Sequence, residues 1–319
     1  MKSDERRVTS DEFETRPVSV SCRSPVVTCH ALTGFTLVEL LVVIAIIGIL
    51  AAMLMPVLSR AKQRAQGTLC LNNGRQLMTA MHLYVSENHD FFPPNPDDGN
   101  VIPGYNWCSG QAGIGGKQEF NPDVLLDPNL SLLIGYLSRN TSVFHCPGDA
   151  RQGIYKGTNS ALIGKTVPAA RTFSMSQAVG TIDSGFAADY SSHSGIPILP
   201  VTGPWLTGVW HENKHNSPYH TFGKSSDIGP PAPSDLWVLV DEDVNGLNDA
   251  AFALSMVGTK WNDVPGTYHN IGCGFAFADG HSETHRWLYR GYKEQGGITD
   301  SKDEADWNWM TAHTSALAN

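Results

Sequence analysis

The chain has 319 residues and a formal net charge of −9, and 17% of its residues are charged. This acidic balance argues against a basic nucleic-acid-binding protein, and 41% hydrophobic residues exclude a charge-rich disordered chain. The 31 glycines and 19 prolines favour a folded protein with short strands and many turns over one built mainly from long helices.

An apolar run at residues 35–58 is 24 residues long and contains one charge, Glu39. As a helix it would measure roughly 36 Å, against a hydrocarbon core of about 30 Å. The apolar part of a cleaved secretory signal has only about 7 to 15 residues, and so long a run seldom fits inside a soluble domain. The run therefore predicts a membrane-spanning helix. A carboxylate in lipid costs about 2.5–3.5 kcal/mol, so Glu39 is predicted to be functional, with a positive group of another subunit as its partner.

Residues 34–52 read GFTLVELLVVIAIIGILAA. This segment resembles the N-terminal segment of type IV pilins and type II secretion pseudopilins. The resemblance implies that a prepilin peptidase cuts between Gly34 and Phe35, removes the leader (residues 1–34) and leaves a Phe35 amine that is N-methylated. It also implies that Glu39 pairs with the terminal amine of a neighbouring subunit while a filament assembles.

The resulting functional prediction is a structural subunit and not an enzyme. The chain would be a pseudopilin of a type II secretion or type IV pilus-like filament, held in the inner membrane by a single span with its C-terminal domain in the periplasm. Its implied partners are other pilin-like subunits, the prepilin peptidase and an inner-membrane assembly platform. The alternative is a membrane-anchored extracytoplasmic binding or enzymatic domain that does not polymerise.

Residues 59–90 predict an amphipathic continuation of the membrane helix. Pro56 lacks an amide donor and should loosen the helix near the end of the apolar run. Gly67 and residues 72–74 predict a bend or break, and the prolines of residues 91–96 predict the end of the helix. Apolar or small residues recur at spacings of three and four, which predicts one face packed on a sheet: Leu58, Ala61, Ala65 and Leu69, then Gln76 or Leu77, Ala80 and Tyr84.

Residues 91–319 predict an extracytoplasmic β-rich domain, because short apolar runs alternate there with turn residues. Residues 235–241 predict a buried strand. Residues 188–233 are rich in Ser, Gly, Pro and His, and they predict a long loop region. The fold class expected is α+β, with a long N-terminal helix packed on an antiparallel β-sheet domain, as in pilins.

Residues 274–287 predict a hairpin, because Asp279 and Gly280 form the strongest short turn signal between two apolar runs. His269 precedes Asp279 by nine intervening residues. This H-X9-DG ending resembles that of a subset of pilin-like proteins. We expect His269 to fix the hairpin by a hydrogen bond. A less favoured alternative is a metal site on one strand face, formed by His281, Glu283 and His285.

Oxygen ligands cluster after the predicted strand in a D-x-D-x-N-G pattern. An EF-hand is not expected, because Phe252 occupies the twelfth place, where a bidentate Glu is needed. Some pseudopilins carry calcium in a C-terminal loop, so the resemblance makes this loop a candidate calcium site, against acidic turn and capping residues as the alternative. The candidate ligands are Asp241, Asp243, Asn245 and Asp249.

The motif of His211, Glu212 and His215 matches the H-E-x-x-H pattern of zinc proteases. Its flanks, Gly208 and Pro218, and the lack of an apolar helical stripe argue against a catalytic helix at this place.

Four cysteines remain after removal of the leader, and they allow three disulfide pairings. The pilin-like resemblance implies a pair between Cys70 and Cys146, which leaves Cys108 and Cys273 as the second pair. A four-thiolate zinc site is not expected, because it needs paired C-x-x-C spacing.

Overall fold

The structure is a computed structural model that describes residues 36–97, 99–183, 198–210, 217–291, 293 and 295–318. The predicted leader and Phe35 lie outside these ranges. The chain divides into two compact units, Met1–Leu54 and Met55–Asn319.

Helix α1 (Leu37–Glu87) has 51 residues and contains Pro56 within it. In the first unit, α1 is the only element that the structure describes, and no residue of the apolar part of this helix is buried. This part is long and apolar enough to cross a membrane by length and composition. The alternative of a buried core helix would require these side chains to be covered by protein, which the described residues do not do.

In the second unit, α1 buries a stripe of small and apolar side chains at spacings of three and four. The expected stripe is wrong in its first half, because Leu58, Ala61, Ala65 and Leu69 are exposed. The helix has no break at the predicted place, because α1 remains helical through both glycines. In its second half the expected stripe is confirmed at Leu77 and Ala80, which are buried. The buried residues of α1 are Gly67, Cys70, Gly74, Leu77, Met78, Ala80, Met81 and Val85.

Gly74 explains why a small residue lies on the buried face. A Cβ at this position would be 3.1 Å from the Ser282 hydroxyl and 3.3 Å from the Ala276 methyl. The glycine therefore allows the helix backbone to approach the sheet closely, and packing outweighs the weak helix propensity of glycine.

Eleven strands are described in the second unit, and five of them form the central sheet in the order β10-β9-β6-β3-β7. Neighbouring strands are antiparallel except β3 and β7, which are parallel. The strands are β1 (Gln152–Ile154), β2 (Thr166–Pro168), β3 (Phe173–Ser176), β4 (Thr181–Asp183), β5 (Ile198–Pro200), β6 (Trp237–Asp241), β7 (Ala251–Phe252), β8 (Lys260–Trp261), β9 (Gly272–Phe277), β10 (Ser282–Arg286) and β11 (Gly296–Gly297).

The predicted strand and hairpin are confirmed. Strand β6 is buried along its whole length, and β9 and β10 pair in antiparallel register across the turn at Asp279 and Gly280. Gly280 has a φ of +95°, which a glycine adopts without strain. Together with α1, this sheet confirms the predicted α+β fold.

Both faces of the sheet are covered, which explains why the central strands β9, β6 and β3 are buried at every residue. Successive residues of a strand point to opposite faces. Ala276 of β9 packs in a first core with residues of α1, whereas Phe275 packs in a second core with residues of α3 (Ser301–Ala312). A further short helix, α2 (Asp123–Leu126), lies between α1 and β1 in sequence.

The predicted loop region, residues 188–233, is only partly described. Its described residues include β5, which pairs with β4, and isolated bridges from Tyr219 to Leu317 and from Phe222 to Val179. Residues 184–197 and 211–216 lie outside the described ranges.

Candidate functional site

Thr36 and Glu39 form a capping box at the start of α1. The Thr36 amide and hydroxyl donate to Glu39 Oε2 at 2.9 and 2.8 Å, and the Glu39 amide donates to Thr36 Oγ1 at 3.2 Å. The T-x-x-E spacing is the known signature of such a cap, although the sequence analysis assigned no role to Thr36. The cap holds the Glu39 carboxylate beside the backbone next to Phe35. Gly34 and Phe35 themselves lie outside the described residues.

The turn of the H-X9-DG motif is held by the side chain of Asp279. Its Oδ1 accepts from the His281 amide at 3.0 Å and lies 2.6 Å from His281 Nδ1. The His281 ring stacks on Phe277 with centroids 4.3 Å apart. The motif therefore supplies a rigid turn at this end of the hairpin.

The alternative metal site on the strand face is not assembled. His281 belongs to the turn, Glu283 is exposed, and the ring of His285 stacks on Trp309 with centroids 3.7 Å apart. Burial lowers the pKa of His285 to about 4, so this imidazole is neutral at physiological pH.

His269 instead belongs to a buried cluster with Cys70, Cys146 and Asp241. Cys70 lies on α1, Cys146 lies after a short 3-10 turn, Asp241 ends β6, and His269 precedes β9. One ligand atom from each side chain lies within 4.8 Å of all the others. The backbone amide of His269 donates to the Gly272 carbonyl at 3.1 Å, which fixes the residue at the entry to the hairpin as predicted.

Three contacts of this cluster are close. His269 Nε2 is 3.2 Å from Cys146 Sγ and 3.6 Å from Asp241 Oδ2, and Cys70 Sγ donates to Asp241 Oδ2 at 3.6 Å. Burial lowers the pKa of His269, but hydrogen bonds to Asp241 and Cys146 outweigh it and raise this pKa to about 10. A hydrogen bond from Cys146 lowers the pKa of Cys70, but burial and Asp241 raise it to about 12.

The cluster does not have the geometry of a Cys-His-Asp catalytic triad. In a triad, the carboxylate orients the imidazole through the ring nitrogen that does not face the nucleophile. Here Cys146 and Asp241 both face His269 Nε2, while His269 Nδ1 has no hydrogen-bond partner. Both sulfurs are also fully buried, which would deny them a substrate.

The cysteines are free thiols in this structure, so neither implied disulfide is formed in it. Cys70 and Cys146 are neighbours in the cluster, as the resemblance implied. Cys108 packs in the first core and Cys273 in the second, where the Cys273 thiol donates to the Asp241 carbonyl at 2.9 Å. The disulfide assignment remains a prediction, with neighbouring sulfurs for the first pair only.

The candidate calcium ligands make different contacts in the structure. Asp241 faces the buried cysteines, and Asp249 Oδ1 accepts from the Ala251 amide at 2.7 Å. Asp243 Oδ1 accepts from the amide and carboxamide of Asn245 at 3.0 and 2.8 Å, as a turn residue does. The structure thus removes Asp241 from the proposed set, and calcium binding remains a prediction for the other residues.

A cavity of about 840 Å³ opens beside this loop. Burial raises the pKa of Asp249 and of Asp263 well above the usual carboxyl range, and nearby Asp97 adds to both shifts. Asp97 also accepts from Trp205 Nε1 at 2.8 Å. The remaining polar lining is rich in carboxamides: Asn100, Gln111, Gln118, Asn245, Asn248, Asn262 and Gln295. This cavity is not evident in the sequence, because its lining comes from distant segments of the chain.

The H-E-x-x-H motif, with His211, Glu212 and His215, lies outside the described residues.

Comparisons with known proteins gave a family-model match and a match to a curated relative. Residues 33–55 match the family model of the prokaryotic N-terminal methylation motif. The type IV wide pilus major component PilA4 of Thermus thermophilus is 43% identical over 58 residues, which is 18% of this chain and 44% of that protein. The match thus covers less than half of this relative's length. No solved structure gives a significant match.

These findings support the predicted resemblance. The chain carries a prepilin-type methylation motif at residues 33–55 and is similar over 58 residues to a type IV pilin.

Proposed function

We propose that this protein is a pilin-like structural subunit of a type II secretion or type IV pilus-like filament. It is made as a prepilin, cut between Gly34 and Phe35, N-methylated at Phe35, and held in the inner membrane by α1 until it enters the filament. Its C-terminal domain lies on the periplasmic side. The chain acts through assembly with other pilin-like subunits and catalyses no reaction.

The observation that carries this proposal is the coincidence of the methylation motif with the uncovered apolar part of α1. Residues 33–55 match the motif, and the apolar window of the helix is unburied. Large exposed side chains such as Leu40, Ile44 and Ile47 are more than half exposed in the isolated chain. Such a surface requires either lipid or the helices of neighbouring subunits to remove it from water.

Glu39 supplies the specificity of assembly in this proposal. Its carboxylate is held towards the N-terminal end of α1 by Thr36, at the end of the helix that attracts negative charge. A methylated Phe35 amine of a neighbouring subunit carries the opposite charge. The pair would remove the cost of leaving an isolated carboxylate within an apolar bundle.

The cavity beside Asp249 and Asp263 favours one second candidate, a membrane-anchored binding domain that does not polymerise. A concave site lined by carboxylates, carboxamides and Trp205 suits a small polar ligand. In this candidate, α1 serves only as an anchor, and Glu39 is needed only for its cap.

Replacement of Glu39 by Gln separates these two functions. The change removes the charge while keeping an oxygen that can accept from Thr36. We expect incorporation into sheared filaments, measured against total membrane-bound protein, to fall at least about tenfold, which corresponds to about 1.4 kcal/mol of lost pairing.

Glu87→Gln is the matched control, because Glu87 ends the same helix outside its apolar part and accepts from the Tyr136 hydroxyl at 2.5 Å. Glu87→Gln should enter filaments as the unaltered chain does. Equal incorporation of the Glu39→Gln chain would rule out the charge pairing, and absence of the unaltered chain from any filament would favour the anchored binding domain.

A further inference from the structure

Four side chains that are far apart in sequence place metal-binding atoms at one point in the domain. Cys70, Cys146, Asp241 and His269 come from a helix, a turn, a strand end and a loop, and all four are buried. Among the residues that the structure describes, this is the only group of three or more His, Cys, Asp or Glu side chains whose metal-binding atoms lie close together.

We propose that Cys70, Cys146, Asp241 and His269 bind one structural zinc ion. Zinc in structural sites is tetrahedral, and it accepts thiolate, imidazole and carboxylate ligands. Bond lengths of about 2.0–2.3 Å to zinc give tetrahedral edges of about 3.3–3.8 Å between ligand atoms. Three of the six separations in the cluster measure 3.2, 3.6 and 3.6 Å, close to that range, and all six lie within 4.8 Å, so small shifts of the side chains would complete the tetrahedron.

The ligand directions also fit one central ion. Cys146 Sγ and Asp241 Oδ2 both approach His269 Nε2, and Asp241 Oδ2 also receives Cys70. Groups that converge on the same ring nitrogen cannot all be satisfied by its single lone pair or proton. A cation placed between them would contact every one of these atoms.

Burial raises the pKa of the Cys146 thiol, so a thiolate at this place requires a cation beside it, and backbone hydrogen bonds fix the position of the residue. The Gly148 amide donates to Cys146 Sγ at 3.3 Å, while the Cys146 amide donates to the Thr172 hydroxyl at 2.9 Å. A backbone donor aimed at sulfur stabilises its negative charge, and the bond to Thr172 fixes the turn that carries the ligand. These contacts explain how the Cys-Pro-Gly turn at residues 146–148 holds Cys146 in place.

Two glycines allow the cluster to close. A Cβ at Gly148 would lie 3.3 Å from Cys146 Sγ, and a Cβ at Gly274 would lie 3.1 Å from Cys70 Sγ. Either contact is tighter than a side chain normally makes, so larger residues would push a sulfur out of position. The two glycines therefore leave the space that the sulfurs of Cys146 and Cys70 occupy.

Zinc binding is balanced by the loss of three protons to solvent. The S–H bonds of Cys70 and Cys146 break and two Zn–S bonds form. His269, whose pKa its neighbours raise to about 10, gives up the proton on Nε2 and binds through that nitrogen, while Asp241 binds through a carboxylate oxygen. A disulfide between the same sulfurs is the competing state. It would leave His269 and Asp241 as a buried pair with no ligand role.

The site would hold α1 to the domain. Cys70 lies on the helix, whereas the other three ligands belong to the turn and strands that pack against it. Zinc would close three long loops at once and so restrict the unfolded chain. This role is independent of filament assembly, and its test does not use filaments.

The test is metal analysis of the full chain. The protein is expressed in medium supplemented with ZnCl₂, extracted in detergent without chelator, and measured by inductively coupled plasma mass spectrometry. We expect one zinc per chain and, after denaturation with a thiol alkylator but no reductant, alkylation of both Cys70 and Cys146. A chain without zinc, or with these two sulfurs joined as a disulfide, would overturn the proposal.

Variants distinguish this site from adventitious zinc. Cys146→Ser and His269→Gln should lose the zinc, whereas Cys108→Ser should keep it, because Cys108 is equally buried but belongs to no ligand group among the described residues. Zinc retained by Cys146→Ser would contradict the assignment.

A chelation experiment covers variants that do not fold. Treatment of the unaltered chain with 1,10-phenanthroline should lower its Tm, and ZnCl₂ should restore it. An unchanged Tm after removal of the metal would show that zinc has no structural role.

Discussion

Glu39 is held within its own chain before any neighbouring subunit is present. Its carboxylate accepts two hydrogen bonds from Thr36, and its amide is satisfied by the same residue. A carboxylate has about four acceptor sites, so an amine of a neighbouring subunit can be added without removing the cap. The T-x-x-E pattern alone predicts that Thr36 and Glu39 cap the helix.

The glycines of α1 show how a residue type can have two meanings. Glycine has a low helix propensity, which predicts a bend, but it also lets a helix approach a neighbour closely. Gly74 serves the second purpose, because the Ala276 methyl and the Ser282 hydroxyl occupy the space where its side chain would lie. Sequence alone shows no neighbour across the interface and so cannot choose between these meanings.

Gly74→Val tests this interpretation by the sign of its effect. Valine has a higher helix propensity than glycine, so a helix judged alone would gain stability. Because the valine side chain would clash with β9 and β10, we expect instead a loss of about 1–3 kcal/mol. The measurement is thermal unfolding by circular dichroism of the detergent-solubilised chain.

Thr79→Val is the matched control for that measurement, since Thr79 is exposed on the same helix. It should change Tm by no more than a few degrees. An increase in stability with Gly74→Val would show that the helix and sheet do not pack as described.

Among the elements, α3 was missed by the sequence analysis although its start is locally encoded. Asp300 accepts from the amides of Lys302 and Asp303 at 2.8 and 3.0 Å, which is an N-cap. The helix buries Trp307 and Met310 in the second core. Its polar composition hides this packing, because its buried side also contains Asp303 and Asp306.

Those two aspartates bind a buried lysine. Lys293 Nζ is 2.9 Å from Asp303 Oδ1 and 2.8 Å from Asp306 Oδ2, and it also lies 4.9 Å from the centroid of the Trp261 ring. Burial raises the pKa of Asp303, but the hydrogen bond from Lys293 and others from Thr299 and Trp261 outweigh it and lower this pKa. The ion pairs fasten α3 to Lys293, which lies between β10 and β11 in the chain.

Asp303→Asn should destabilise the domain by about 2–3 kcal/mol at pH 7, because it removes one carboxylate from a buried, charged hydrogen-bond network. Since the folded pKa of Asp303 is lowered, its contribution is complete above the usual carboxyl pKa of about 3.9 and is lost as pH falls through the folded value. Urea unfolding from pH 7 to pH 3 should therefore show the two chains converging in acid.

The exposed neighbour Glu304 provides the control, and Glu304→Gln should change stability by less than about 0.5 kcal/mol. A difference between Asp303→Asn and the unaltered chain that stays constant down to pH 3 would contradict the assigned role of the carboxylate.

Elements whose signals lie within a short stretch of sequence could be predicted. Strand β6 is a short apolar run, and the β9–β10 hairpin has an Asp-Gly turn, so neither depends on knowledge of distant residues. The face of α1 that packs was not predictable, because its register depends on where the sheet lies. The parallel pairing of β3 with β7 also joins segments far apart in the chain.

For the whole molecule, the functional features that lie in one stretch of sequence could be predicted, whereas those assembled by folding could not. The N-terminal motif is contiguous, so residues 33–55 could be recognised from the sequence and are matched by the methylation family model. The cluster of Cys70, Cys146, Asp241 and His269 is assembled only by folding. Its members were each noticed in the sequence, as disulfide, calcium or hairpin residues, but their convergence required the structure.

Processing and membrane anchoring of the chain are tested by intact-mass spectrometry of the protein recovered from membranes. We expect a mature chain whose first residue is N-methylated Phe35. A mature chain that retains residues 1–34, or that begins at any other residue or with an unmethylated Phe35, would contradict it.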